Sequence, residues 1–278
     1  MFELFEKTAD ICSKSTTRIY STSFSLGIRM IAKDYRWAIY GIYGFVRLAD
    51  EIVDTFDRND KAELLEEFKK DTYLAIERGI SLNPILQSFQ KVVRKYNIGA
   101  DLIEPFFNSM EADLHKTEYN QPQYNEYIYG SAEVVGLMCL KVFCDGDSEK
   151  YNSLKSPARS LGAAFQKVNF LRDIKSDVEE RGRIYFPQLD LSHFDEHVKQ
   201  AIIEDVRRDF RDAYTGIIRL PMSCRFGVYT SYIYYLKLLE KIERKNAADI
   251  LESRIRVPDS EKMALLAKSF FKFKMNAL

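Results

Sequence analysis

A chain of 278 residues in which 41 basic and 41 acidic side chains cancel lacks the electrostatic footprint of a nucleic-acid-binding protein. Hydrophobic residues at 46% and charged residues at 29% are ordinary for a globular chain with a substantial core, built as one large domain or two small ones. Twelve glycines and seven prolines are few for a sheet-rich protein, and no run of eighteen apolar residues suggests a bilayer span, so the composition leans towards helices.

Residues 3–20 read as an amphipathic helix, interrupted at Ser21-Thr22-Ser23-Phe24-Ser25, whose hydroxyls suit either a capped helix break or the wall of a polar pocket. A helix over 35–56 follows. On it Tyr43, Arg47, Asp50 and Asp54 share a face, while Ile42, Phe45, Val46, Ala49 and Val53 form its apolar body. Asn59 or Asp60 starts a helix that runs to about Arg78 and stops at Gly79. Asn83-Pro84 opens the next, which reaches Asn97 and is ended by Gly99. Residues 100–114 are helical despite Pro105, and Pro122 breaks the chain before a helix over 124–144 that is first aromatic (Tyr124, Tyr127, Tyr129) and then small (Ser131, Ala132, Gly136).

Ser156-Pro157 marks the start of a helix over 157–178. At about 100° per residue Gln166, Asn169, Asp173 and Asp177 fall within roughly one quadrant of it, with Arg172 just outside. The loop Glu180-Arg181-Gly182-Arg183-Ile184-Tyr185-Phe186-Pro187 is basic and reads as a lid able to meet phosphate oxygens. Asp190-Leu191-Ser192-His193-Phe194-Asp195-Glu196-His197 reads as an exposed linker rather than a histidine metal site. Helical patterns return over 195–218, 221–245 and 258–276. The interleaved lysines and phenylalanines at the end suit either a peripheral membrane contact or packing on the core, the second being the simpler reading. Cys12, Cys139, Cys144 and Cys224 form no C-x-x-C pair, and no apolar signal segment opens the chain, so the expectation is a reduced, cytoplasmic protein with buried thiols.

Aspartates set among valine, isoleucine, leucine and phenylalanine are costly to bury unless cations neutralise them. Two acidic helical faces across a cavity would bind such cations. With carboxylates and an amide as ligands and no histidine alongside, the pattern favours a hard ion, Mg²⁺ with Mn²⁺ as its substitute, shared with a diphosphate.

These residues resemble the squalene/phytoene synthase family over most of the chain. Tyr43, Arg47 and Asp50-Glu51-Ile52-Val53-Asp54 look like its first aspartate-rich motif. Gln166, Asn169, Arg172, Asp173 and Asp177, followed by Arg181-Gly182-Arg183-Ile184-Tyr185-Phe186-Pro187, look like its second. Ser23-Phe24, Asp113, Tyr127 with Ala132 and Gly136, and Tyr235 match lesser positions, while Glu133 departs from the glycine usual there.

The resemblance implies an all-α, single-domain isoprenoid synthase fold with helices around a central cavity. It implies prenyl diphosphate substrates joined head to head, with two geranylgeranyl diphosphates giving phytoene as the expected reaction in carotenoid biosynthesis. The alternative is a squalene or dehydrosqualene synthase acting on farnesyl diphosphate. NADPH is not expected, and nothing in the sequence fixes the oligomeric state. Asp50, Asp54, Asp173 and Asp177 are the expected metal ligands. Ser23, Phe24, Tyr43, Arg47, Gln166, Asn169, Arg172 and Tyr235 are expected to bind substrate, with Arg47 and Tyr127 also acting in catalysis.

Overall fold

The computed structural model describes residues 2–56, 59–187, 189, 193–252 and 254–274. Among them the chain forms thirteen α-helices and no named strand, with one isolated bridge between Glu118 and Ile184. The order is α1 (Phe2–Tyr20), α2 (Thr22–Arg29), α3 (Lys33–Asp54), α4 (Lys61–Arg78), α5 (Pro84–Tyr96), α6 (Ala100–His115), α7 (Gln121–Ile128), a π turn (Tyr129–Glu133), α8 (Val134–Cys144), α9 (Ser148–Glu179), α10 (Glu196–Ile217), α11 (Met222–Glu243), α12 (Ala247–Glu252) and α13 (Asp259–Lys274).

Local chemistry sets most of the boundaries. Ser21 caps α2 by accepting from the Phe24 amide, Asn83 caps α5 ahead of Pro84, and Gly79 closes α4 in the left-handed region at φ 70. Three boundaries differ from the sequence reading. Asn97, itself left-handed at φ 50, stops α5, and Gly99 is the N-cap of α6. Pro122 lies in the first turn of α7, where its missing amide hydrogen leaves no helical bond unmade. Ser156-Pro157 does not start a helix: α9 begins nine residues earlier under an Asp147 cap and runs through Pro157, whose ring lies where a Cβ on Gly216 of α10 would come within 2.5 Å. Tertiary packing thus overrides the local start signal. The short helix α12 carries no periodic pattern long enough to announce itself, and Asp190, Leu191, Ser192, Met275 and Asn276 of the expected linker and tail lie outside the described residues.

Two aromatic cores hold the bundle. In the first, Phe45 of α3 is fully buried and stacks on Phe89 of α5 at 3.9 Å, with Phe68, Phe106 and Phe107 at 5.2 to 5.6 Å. Burying one such ring contributes roughly 2–3 kcal/mol. In the second, Phe170 of α9 stacks on Tyr185 at 4.2 Å, beside Tyr127 and Phe186. All four cysteines are free; Cys144 and Cys224 are buried and the other two partly so. Taken through its π turn, Gln121–Cys144 is a 24-residue run containing an 18-residue stretch of mean hydropathy 1.4, long and apolar enough to cross a bilayer, contrary to the sequence reading. It packs against α6 and α9, and 56% of that apolar stretch is buried inside the protein, as in a core helix.

The π turn explains why the expected single helix over 124–144 is broken. The Val134 amide bonds back five residues to the Tyr129 carbonyl, and Ser109 of α6 donates its hydroxyl to the Tyr127 carbonyl at 3.1 Å. The extra residue brings Gly130 so close to α6 that a Cβ there would fall 2.0 Å from the Pro105 carbonyl oxygen. Backbone atoms cannot yield as a flexible side chain does. We therefore predict that Gly130→Ala lowers stability by about 1–3 kcal/mol in denaturant unfolding; an unchanged midpoint would show that the helices separate freely here.

Candidate active site

A cavity of about 460 Å³ lies where the two cores meet, walled by Phe24, Ile28, Val46, Val135, Leu161, Phe165 and Ile217 among others. Nine of the expected site residues line it: Phe24, Tyr43, Arg47, Asp50, Tyr127, Gln166, Asn169, Arg172 and Tyr235. Ser23 does not; two residues earlier, Ser21 lines the wall, because the α2 cap turns Ser21 inward. Glu133, the departure from the family pattern, is not part of the wall. It pairs with Arg159 at 2.5 Å, and Gly162 of α9 packs so closely on Ala132 and Glu133 that the pocket side is sealed by backbone.

The acidic faces of α3 and α9 meet through arginine. Arg181 donates to Asp177 Oδ1 at 2.9 Å and its Nε lies 3.6 Å from Asp54 Oδ2, so one guanidinium joins the two motifs. Arg183 donates to Asp54 Oδ1 at 2.7 Å and to the Tyr185 hydroxyl at 3.2 Å. That hydroxyl in turn donates to Asp113 at 3.0 Å, and the Tyr127 hydroxyl donates to the other Asp113 oxygen at 2.7 Å. Asp173 is held between Arg172, whose Nε donates at 2.9 Å, and Arg254 at 2.8 Å. Arg47 pairs with Glu51, lies 3.7 Å from Asp50, and sits over the Tyr20 ring at 4.3 Å.

The expected lid is corrected in part. Arg183 is 6% exposed and locked in the Asp54–Asp113–Tyr185 network, while the Ile184 amide bonds to the Thr117 carbonyl at 2.8 Å. Arg183 is therefore a fixed strut between α3 and α6, and only Arg181 stands against both aspartate faces. The sequence reading had assigned no role to Arg254, Tyr20 or Phe165. Arg254 follows a helix too short to show a pattern, and the two aromatics look like ordinary core residues until the cavity appears.

Burial gives the acids unusual proton affinity. Asp50 is pushed up to about 7, first by burial and then by the like charge of Asp54, against the pull of Arg47. Burial and Asp173 push Asp177 up to about 7, and burial raises Asp113 to about 6 despite Arg183. No three histidine, cysteine, aspartate or glutamate side chains converge into a metal cage among the described residues. The set does fit a hard dication held by one or two carboxylates together with phosphate oxygens: carboxylates that repel one another line up with Asn169, whose Oδ1 is buried without a hydrogen-bond partner.

A family model described as squalene/phytoene synthase matches residues 17–261. The phytoene synthase of Arthrospira platensis is 29% identical over 92% of this chain and 90% of its own, and phytoene synthase 1 of maize is 27% identical over 87% of this chain and 62% of its own. Among solved structures, a dehydrosqualene synthase shares the fold at a TM-score of 0.82 with 20% identity, covering 97% of this chain and 98% of its own. A squalene synthase from Alicyclobacillus acidocaldarius does so at 0.75 with 19% identity, covering 86% and 94%.

The three acids bind protons more tightly folded than unfolded, where aspartate titrates near about 3.9. Their contribution to ligand-free stability is therefore fully present below about pH 4 and is lost as pH rises through their folded values, about 6 for Asp113 and about 7 for Asp50 and Asp177. We predict that Asp50→Asn melts higher than wild type at about pH 8, with the difference vanishing near pH 4; superimposable melting curves across that range would refute the assignment.

Proposed function

The chain belongs to the squalene/phytoene synthase family, and from that premise we propose that it joins two molecules of geranylgeranyl diphosphate head to head to give phytoene. The observation that carries this reading is the joining of two aspartate faces and their arginines at the rim of an apolar cavity. Such a site binds a diphosphate at its polar end and excludes water from a prenyl chain. The two named relatives at 27% and 29% identity, which are phytoene synthases, favour the twenty-carbon substrate.

In the proposed reaction the C1–O bond of one allylic diphosphate breaks, and its cation is attacked by the double bond of the second molecule. Loss of a proton leaves a cyclopropylcarbinyl diphosphate. Its own C–O bond then breaks, the carbon skeleton rearranges, and a second proton loss gives the hydrocarbon. Asp50, Asp54, Asp173 and Asp177 would hold Mg²⁺, which when bound neutralises the diphosphates and favours their departure. Arg47, Arg172, Gln166 and Asn169 line the cavity, where they would donate hydrogen bonds to phosphate oxygens. Arg181 is placed to follow the charge: a diphosphate anion between Asp54 and Asp177 competes for its guanidinium.

The developing cations are met by aromatic faces. Phe24 and Tyr43 pack at 5.4 Å, and Phe165 stacks on Tyr235 at 4.0 Å, all four lining the cavity. Tyr127, pinned by Asp113, holds its ring at the wall, and burial drives its hydroxyl well above the usual range, so it stays protonated. Much of the remaining wall is aliphatic, with Ile28, Ile39, Val46, Val135, Leu140, Leu161 and Ile217 in it, which keeps water from the cations.

Incubation with geranylgeranyl or farnesyl diphosphate and Mg²⁺, with and without NADPH, tests the reading. The expected product is a forty-carbon hydrocarbon that forms without NADPH; a thirty-carbon product would reassign the enzyme to squalene or dehydrosqualene synthesis. Asp173→Asn is expected to cut turnover by at least about a hundredfold while leaving the helical spectrum unchanged, and a variant with wild-type turnover would remove Asp173 from the mechanism.

A further inference from the structure

Arg47 is held from two directions by groups to which the proposed reaction gives no task. From α3 itself Glu51, one helical turn on, accepts a hydrogen bond from Nη2. From α1 the ring of Tyr20 covers the guanidinium, with Cζ 4.3 Å from the ring centroid. The remaining edge is unpaired: Nη1 stands 3.7 Å from Asp50 Oδ2, beyond hydrogen-bond length, and Nε is buried with no hydrogen-bond partner among the described residues. A buried donor left unpaired is destabilising, and Arg47 and Tyr20 both line the cavity, so this edge is the one a ligand would satisfy.

The position of Tyr20 follows from the way α1 ends. Ser13 and Thr17 are fully buried on this helix, and Ser13 packs so closely on Gly44 of α3 that a Cβ there would come within 3.1 to 3.3 Å of it. The chain then turns at Ser21, whose extended backbone (φ −144, ψ 105) starts α2. The Thr17 carbonyl accepts from both the Ser21 amide at 3.0 Å and the Ser25 hydroxyl at 3.2 Å. The backbone of Tyr20 is therefore anchored on either side, while its half-exposed side chain reaches back over α3.

We propose that Tyr20 is a positioning residue for Arg47: its ring sets the plane of the guanidinium so that Nε and Nη1 stay available to diphosphate oxygens, a role that rests on the diphosphate reading of the site. A single hydrogen bond to Glu51 fixes one nitrogen and leaves the guanidinium free to swing about it, whereas a ring against its flat face fixes the plane. The ring also holds the cation without a net charge of its own. A second carboxylate in its place would repel the anion for which Arg47 is held. When Asp50 turns to the dication, the long ion pair to Arg47 is lost, and Tyr20 and Glu51 are what remain to hold it. An arginine ordered before the ligand arrives has no rotamer freedom left to lose on binding, and that is the gain the ring supplies.

The test uses the full chain, with inorganic diphosphate and Mg²⁺ as the probe in a calorimeter, so that it does not depend on which prenyl chain the enzyme takes. Tyr20→Leu, which keeps apolar bulk and removes the ring, should weaken binding about fivefold, and Tyr20→Phe should bind as the wild type does. In an Arg47→Ala background the same Tyr20→Leu change should have no effect, because Tyr20 acts through the arginine. All variants should keep the wild-type helical spectrum, which separates lost positioning from lost folding. Without any ligand, phenylglyoxal should modify Arg47 faster in Tyr20→Leu than in the wild type or Tyr20→Phe, as read by mass spectrometry of the Arg47 peptide. Equal losses in both backgrounds, equal labelling of Arg47, a Tyr20→Phe variant as weak as Tyr20→Leu, or a wild type that binds no diphosphate would each overturn the proposal. A wild type that binds diphosphate but yields a thirty-carbon product, or no hydrocarbon, would overturn the proposed reaction instead and leave the role of Tyr20 standing.

Discussion

The architecture answers one electrostatic constraint: carboxylates placed among apolar helices must be matched by positive charge. Asp54 and Asp177 approach each other across the cavity edge because Arg181 stands between them, and Asp173 is clamped by Arg172 and Arg254. Asp50 has the weakest partner, with Arg47 at 3.7 Å, and it is one of the two acids whose proton affinity rises furthest. A buried ion pair in which one partner is removed is strongly destabilising, whereas one in which partners are exchanged need not be. In the proposed reaction the arginines exchange partners, moving from aspartates towards diphosphate oxygens as the aspartates turn to the dication.

That exchange needs a rigid frame, and the Asp113 network supplies it. Asp113 accepts from the Tyr127 and Tyr185 hydroxyls and lies 3.5 Å from Arg183, which itself reaches Asp54 and so ties α3, α6, α7 and the loop after α9 together. A fully satisfied buried network of this kind specifies one arrangement, because any member displaced leaves another unpaired. The π turn belongs to the same frame. By admitting one extra residue it lets Gly130 rest on the Pro105 carbonyl while Ser131, Ala132, Val135 and Gly136 face the cavity.

Much of this was legible in the residues. Helix content, the caps at Asn83 and Gly79, and the shared faces of Asp50 with Asp54 and of Gln166 with Asp177 follow from periodicity and cap chemistry, which act over a few residues. Misread features were those where distant contacts outvoted local signals. Ser156-Pro157 is a strong start signal, yet α9 runs through it because α10 packs on the proline ring. Ser23 was expected in the pocket, and the cap geometry put Ser21 there instead. Arg183 read as a mobile lid arm and proved to be a buried strut, since nothing near it in sequence announces Asp113.

By itself the sequence determined the all-α class, the two acidic helical faces and their likeness to one enzyme family, because spacing along a helix fixes which side chains share a side. Only the tertiary structure decided that the faces meet through Arg181, that Arg254 closes on Asp173, and that an apolar hollow lies beside them. Those facts depend on how segments 81 or more residues apart pack, and no local pattern encodes the distance between two helices.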